Sequence, residues 1–298
     1  MCIRDRDSIQ DSLDAQLVYQ DVKYIVNLEE MSAFQEITTV DDWKTFFRKI
    51  WVSRDPTPSV EWNARLSEHY RRFLYVERHY LFDGFRTWFN DPDKFDNLDF
   101  LETTDLNDRF NDKGLVYVRH GEASDIQKPV DLREVWWYWK TKEYPEMVFN
   151  FAASPTAVGS NWRLVESALG SDNLSARVRW EVEKRIRKVR RSVSEGLVTD
   201  RHTWDEKVDA LDYESYLAFF KGDEGKNSVE LYYGIELKEL KKVTKELVDT
   251  DPVFEYGFAL HDLDWNRFVN QNGTVTSGTS SPVTYTHLRA HETDSYIE

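Results

Sequence analysis

Hydrophobic positions recur at helical spacing through the first third of the chain. Between 13 and 37 they fall at Leu17, Val18, Val22, Ile25, Val26, Leu28 and Met31, which predicts helix without fixing its boundaries. Thr39 with Asp42 three residues on has the form of a capping box, in which hydroxyl and carboxylate satisfy free amides at a helix start. The helix it opens carries Trp43, Phe46, Phe47, Ile50 and Trp51 on one face. Asp55-Pro56-Thr57-Pro58 must end that helix, because proline disfavours the helical region for the residue before it. Thr57 then suits an N-cap with Pro58 at the first helical position, and Trp62, Leu66, Tyr70, Phe73, Leu74 and Leu81 predict an apolar side running to about Phe82.

The pattern changes after a polar, acid-rich stretch from Asp91 to Asp112, which reads as a long surface loop. Runs at 114–119, 134–140, 147–152 and 161–166 are short, β-branched or aromatic, and separated by turn residues. They predict a four-stranded antiparallel meander covered on one face by the preceding helices. Residues 174–193 return to helical spacing, with Leu174, Val178, Val182, Ile186, Val189 and Val193 on one stripe. Four further strand-like runs follow at 213–220, 228–237, 254–260 and 265–269, and a Gly/Ser/Thr-rich stretch spans 273–281. The expected fold class is therefore α+β: a helical N-terminal region packed on an antiparallel β-meander, a long basic helix, then a partial β-sandwich, which ordinarily needs about seven strands.

The two ends read differently. Met1–Arg6 matches a translation of a transposase mosaic-end adapter, and Tyr285 to Thr293 resembles the opposite adapter read in frame. The expected organisation is thus adapter at 1–6, a helical plus β-meander domain at 7–170, a linking basic helix at 171–198, a β-sandwich-like domain cut short at 199–282, and adapter at 283–298. Cys2 falls in the first adapter segment, so disulfides, thiolate metal sites and a cysteine nucleophile are not expected in the remainder.

Composition narrows the function classes. Among 298 residues, 39 Lys+Arg stand against 54 Asp+Glu, a formal net charge of -15, which repels phosphate backbones and disfavours a nucleic-acid binder. No apolar run approaches the roughly 18 residues a membrane-spanning helix needs.

The segment from Phe46 to Pro58, with Trp51, Arg54, Asp55, Pro56, Thr57 and Pro58, then Asn63 and Glu68-His-Tyr-Arg-Arg72, resembles the bacterial family named for a Gly-Trp-x-Thr-Asp motif, the GWxTD domain family. That family has a Trp-x-x-Arg-Asp-Pro-Thr-Pro segment followed by an Asn and a Glu-Tyr-Tyr-x-Arg helix. Asp112-Lys-Gly114 with Tyr117 and Gly121, and the 134–136, 149–151 and 162–165 strands, are similar to it as well. The namesake motif falls on 108–112, where Asp112 alone matches, and Glu122-Ala123 replaces the family's proline, so the chain resembles a divergent member. The resemblance implies a protein of the bacterial cell envelope or a secreted one, often a lipoprotein, and implies no chemistry. Arg54 to Pro58 is expected to form a structural corner bridged by Arg54 or Asp55, and Asp112 with Gly114 a turn entering a strand.

Four features are weighed for alternative chemistry. Arg119-His120-Gly121-Glu122 closes a strand-like run and resembles the opening of the histidine phosphatase superfamily, in which a His attacks phosphorus, Arg residues hold the phosphoryl oxygens and a carboxylate protonates the leaving group. Trp137 and Trp139 share one face of a strand and could form an aromatic platform for a sugar. The basic helix sets Arg177, Arg179, Lys184, Arg185, Arg187, Lys188, Arg190 and Arg191 against Glu181 and Glu183; pairing with the chain's own acidic segments is favoured over an anionic surface. His261-Asp262-x-Asp264 and Asp91, Asp93, Asp96, Asp99 lack EF-hand spacing, so neither a metal site nor any cofactor is expected. The sequence points to a non-catalytic binding or scaffold protein with an unidentified protein or glycan partner, contacting no nucleic acid and a membrane only through an N-terminal anchor. A phosphatase-type hydrolase using Arg119, His120 and Glu122 is the alternative.

Overall fold

A computed structural model describes residues 9–60, 62–82, 109–129, 132–153, 162–165, 176–196, 199–202, 213–221, 227–235, 253–276 and 288–290. The class is α+β, with helices and antiparallel sheets. The chain divides into two compact units, Met1–Asp55 with Ala64–His202, and Pro56–Asn63 with Thr203–Glu298. The long basic helix, expected as a linker, belongs to the first.

In the first unit the stretch expected to be helical forms two helices, α1 (Ser12–Val22) and α2 (Leu28–Glu36). The break is local chemistry: Asn27 accepts from the Glu30 amide at 2.8 Å while the Glu30 carboxylate accepts from the Asn27 amide at 2.9 Å, a reciprocal cap that starts a new helix. α3 (Val40–Ser53) starts at Thr39, which accepts from the Asp42 amide. The Asp42 carboxylate takes the Thr39 hydroxyl at 2.6 Å instead of returning to the backbone. Its face Trp43, Phe46, Phe47, Ile50 and Trp51 is buried as the periodicity predicts.

α4 runs Ala64–His79, so Thr57 and Pro58 start no helix. Residues 56–63 belong to the second unit, where the Val60 amide closes a turn on the Thr57 carbonyl at 3.1 Å. The buried face of α4 is also rotated from the expected one. It carries Ala64, Arg65, His69, Arg72, Phe73 and Val76, whereas Trp62, Leu74 and Leu81 are exposed.

The run at 114–119 is a helix, α5 (Asp112–His120), not a strand. Asn111 caps it, accepting from the Lys113 and Gly114 amides, and every residue from Asp112 to His120 is buried. An element buried all round leaves a continuous apolar run that periodicity cannot tell from a core strand. Gly114 permits this packing: a Cβ there would lie 2.7 Å from Val76 Cγ1 and 2.8 Å from Phe110 Cβ.

The four-stranded antiparallel meander is present, and its first strand follows α5: β1 (Asp125–Gln127), β2 (Arg133–Tyr138), β3 (Met147–Ala153) and β4 (Trp162–Leu164), in that order. Trp136 pairs with Phe149, Glu134 with Phe151 and Tyr138 with Met147, so one face of β2 and β3 enters the core. α6 (Ala176–Gly196) lies on β3, burying Val189 and Val193, with Ser192 Oγ accepting from the Val148 amide at 2.9 Å.

In the second unit β5 (Tyr213–Lys221) pairs with β6 (Asn227–Ile235), and β6 with β9 (Leu288–Ala290), which lies inside the stretch read as adapter. β7 (Val253–His261) and β8 (Arg267–Thr276) form a separate antiparallel pair, and β8 extends into the Gly/Ser/Thr-rich stretch. Arg267 donates to the Val60 carbonyl at 2.9 Å. Gly257 faces the Ser59 side chain, which leaves no room for a Cβ on residue 257. Of the stretch from Asp91 to Asp112 expected as a surface loop, residues 91–108 lie outside the described residues, whereas Phe110, Asn111 and Asp112 are buried where α5 begins.

Candidate functional site

Arg72 and Gly121 meet at a buried polar junction, while the other resemblance residues of the first unit lie at both ends of α5 and along α3. Arg72 reaches from α4 to the end of α5 and donates through Nη1 to the carbonyls of Arg119 and Arg201, each at 2.9 Å. Its Nε pairs with Glu68 at 2.7 Å. Gly121 closes α5 at φ 73°, with its would-be Cβ 3.0 Å from the Arg72 guanidinium; only glycine allows that backbone and that approach. The Gly121 carbonyl accepts from the Tyr138 hydroxyl at 2.9 Å. Tyr117 stacks on Tyr75 with centroids 4.6 Å apart.

Asp112 accepts from the Leu164 amide at 2.6 Å, tying the start of α5 to β4. Asp112 and Gly114 therefore position a helix rather than enter a strand. Beside them Lys113 pairs with Glu134 at 2.8 Å and lies 3.1 Å above the Trp162 ring centroid; burial brings its amine down to about 8 despite Glu134. Arg54, at the end of α3, bridges back to α2, not to the sheet: its Nη1 and Nη2 donate to the two Glu30 oxygens at 2.8 and 2.7 Å. Asp55 donates its amide to the Val52 carbonyl. Trp51 is buried with its ring 5.2 Å from that of His69. Asn63 immediately precedes α4.

Around the junction stand residues that hydropathy passed over. Arg65 is fully buried and binds Asp200 through Nε and Nη2, at 2.9 and 2.5 Å. Asp200 sits in the exit from α6, residues 199–202, and the guanidinium of Arg65 holds its carboxyl below the usual range against the opposing effect of burial. The same exit is pinned by the Arg201 amide on the Arg119 carbonyl at 3.0 Å and by the Tyr144 hydroxyl, which contacts the His202 amide and carbonyl. His69, fully buried, donates from Nε2 to the Asp21 carbonyl at 2.9 Å. The only sequence signal for this set was the i, i+4, i+7 spacing of Arg65, His69 and Arg72, which scores as a polar face.

Arg119, His120 and Glu122 do not converge. His120 is buried on α5, donates from Nε2 to the Gly196 carbonyl at 2.6 Å, and lies between the rings of Phe149 and Tyr138. Burial, with the charges of Arg119 and Arg72, pushes its imidazole down to about 3. Arg119 turns to the Val26 carbonyl at 3.1 Å, and Glu122 is exposed beyond the helix. A phosphoryl acceptor needs an accessible nitrogen with cations aimed at one point, and this geometry offers neither.

The tryptophans divide. Trp136 is buried, Trp137 is half-buried with Lys188 Nζ 5.1 Å from its ring centroid, and Trp139 is 61% exposed. Trp137 and Trp139 thus form no continuous open platform. Among the described residues no group of three or more His, Cys, Asp or Glu is placed to hold a metal ion. Asp262 instead closes the β7–β8 turn, accepting from the Asn266 amide at 2.7 Å. No described helix is long and apolar enough to cross a membrane. Compared with family models, curated proteins and solved structures, the chain matches none.

Proposed function

We propose that this protein is a non-catalytic binding or scaffold protein of the bacterial cell envelope or of the secreted fraction, related to the GWxTD domain family, with a protein or glycan partner. One observation carries the absence of chemistry from this reading. Arg54, Arg72, Asp112, Arg119 and His120 all make intramolecular hydrogen bonds that join helices to one another, to the sheet or, for Arg119, to the connection between α1 and α2. Groups engaged in this way have neither the accessibility nor the convergence that a nucleophile, base and oxyanion site require. The compartment is supported by the resemblance of the Trp51 to Pro58 and Asp112 to Gly121 segments, and the exposed indole of Trp139 supports a protein or glycan partner.

The test measures tryptophan fluorescence during titration with soluble peptidoglycan fragments, alongside hydrolysis of p-nitrophenyl phosphate. Reversible quenching reduced by Trp139→Ser, with no turnover, is the expected result. Turnover abolished by His120→Ala overturns the reading.

A further inference from the structure

We propose that the open edge of β5 is the interface of a symmetric homodimer, in which β5 of one copy pairs antiparallel with β5 of a second copy. The inference concerns the second unit and stands apart from the envelope reading. Among the described residues β5 ends its sheet, with β6 on one side and no strand on the other. Its register with β6 is unbroken over 9 residues, from Tyr213 opposite Ile235 to Lys221 opposite Asn227. No proline or bulge interrupts it, and no charge stands between Ser215 and Phe220. Those are the devices by which edge strands ordinarily avoid pairing. Large apolar side chains are open on it instead: Tyr213, Tyr216 and Phe219 are 67%, 69% and 60% exposed, and Leu217 and Phe220 nearly half. At ~200 Å² for an aromatic side chain, this one strand leaves about 500 Å² of apolar surface in water. Two copies therefore bring about 1,000 Å² to the contact, the size at which a specific interface becomes stable.

The order of residues along β5 selects a second copy as the occupant. A two-fold axis through Leu217 is the antiparallel register that overlaps the whole strand, and it sets Leu217 against Leu217 of the copy. Phe219 then falls opposite Ser215 of the copy, Tyr216 opposite Ala218, Tyr213 opposite Lys221 and Phe220 opposite Glu214. No two rings collide and no like charges meet directly. The charged residues of β5 and β6 are Glu214, Lys221 and Glu230, and Glu230 is buried, accepting from the Tyr232 hydroxyl at 2.6 Å. In the antiparallel pair the Glu214 end of each copy lies beside the Lys221 end of the other, a complementarity that a parallel copy reverses.

Sedimentation velocity of the full chain over a concentration series reads the assembly. A reversible monomer–dimer equilibrium that high salt does not weaken is expected, because each copy carries a net charge of -15 and screening removes their repulsion. Leu217→Lys, which brings two ammonium groups together on the axis, should weaken the dimer about tenfold or more, with an unchanged circular dichroism spectrum. A disulfide test decides the matter if that variant folds poorly. Cys2 is the chain's one cysteine. In a Cys2→Ser background, Leu217→Cys should oxidise to a covalent dimer. Ser215→Cys or Phe219→Cys alone should not, whereas an equimolar mixture of those two should. A monomer at every concentration, open assemblies larger than a dimer, a dimer indifferent to Leu217→Lys, or cross-linking as efficient at 215 as at 217 each overturns the proposal.

Discussion

Arg65 on α4 and Asp200 in the exit from α6 are 135 residues apart in sequence and joined by two hydrogen bonds, with Arg65 wholly removed from solvent. Removing one partner leaves an uncompensated buried charge, which costs far more than the pair itself contributes. Asp200→Asn should destabilise the first unit by about 3 kcal/mol or more, read as a lower denaturant midpoint. Glu122→Gln, at an exposed position, should stay within about 0.5 kcal/mol. Arg65→Met/Asp200→Leu should recover most of the loss, because both charges leave together.

The buried imidazoles set an acid limit. Burial lowers His69 and His120 to about 3 in the folded chain, whereas an unfolded histidine titrates near 6.5. Between those values the unfolded state binds the extra protons, so stability falls as pH falls through this window, by about 1.4 kcal/mol per pH unit for each histidine. Glu68, held at about 2 by Arg71 and Arg72 against burial, adds a loss below about pH 4.5. Melting temperature against pH should therefore decline from about 6.5 downward, and His120→Gln should remove one proton's share of that slope whatever its effect at neutral pH.

Two glycines can be tested by the same change for different reasons. Gly114→Ala drives a methyl into Val76 and Phe110, and overpacking of about 1–3 kcal/mol should outweigh the gain of up to about 1 kcal/mol in helix propensity. Gly121→Ala meets both the φ of 73° and the Arg72 guanidinium. It should cost about 1–3 kcal/mol and loosen the 199–202 exit, visible as faster amide exchange at Arg201.

The adjacent tryptophans should part company on truncation. Trp136→Ala empties a fully buried site between Phe149 and Phe151 and should cost about 3–5 kcal/mol. Trp139→Ala should be close to neutral in chemical denaturation, since most of its ring is in water.

Much of the architecture was legible because it depends on short-range pattern. The α3 stripe, the strands within 134–138, 147–153 and 213–221, and the cap at Thr39 follow from hydrophobic period and the hydrogen-bonding habits of Thr. The α2 start was written just as locally, in Asn27 and Glu30, and a periodic reading from 13 to 37 ran across it.

What pattern could not supply was the identity of the inner face wherever that face is polar or buried on every side. α5 reads as a strand because its surroundings remove the polar side that marks a helix. The α4 face was misplaced because Arg65, His69 and Arg72 occupy core positions. Polar and charged side chains can do so only when distant groups hydrogen-bond or neutralise them. Those partners, Asp200, the Asp21 carbonyl and the Arg119 and Arg201 carbonyls, are brought near by the fold alone. The sequence by itself thus determined the class, the apolar stripe of α3 and the strands of the meander that follow residue 133. Tertiary structure decided that His120 is a buried strut and that Trp139 is open to solvent, because burial is a property of the whole packed chain and local periodicity reports only half of it.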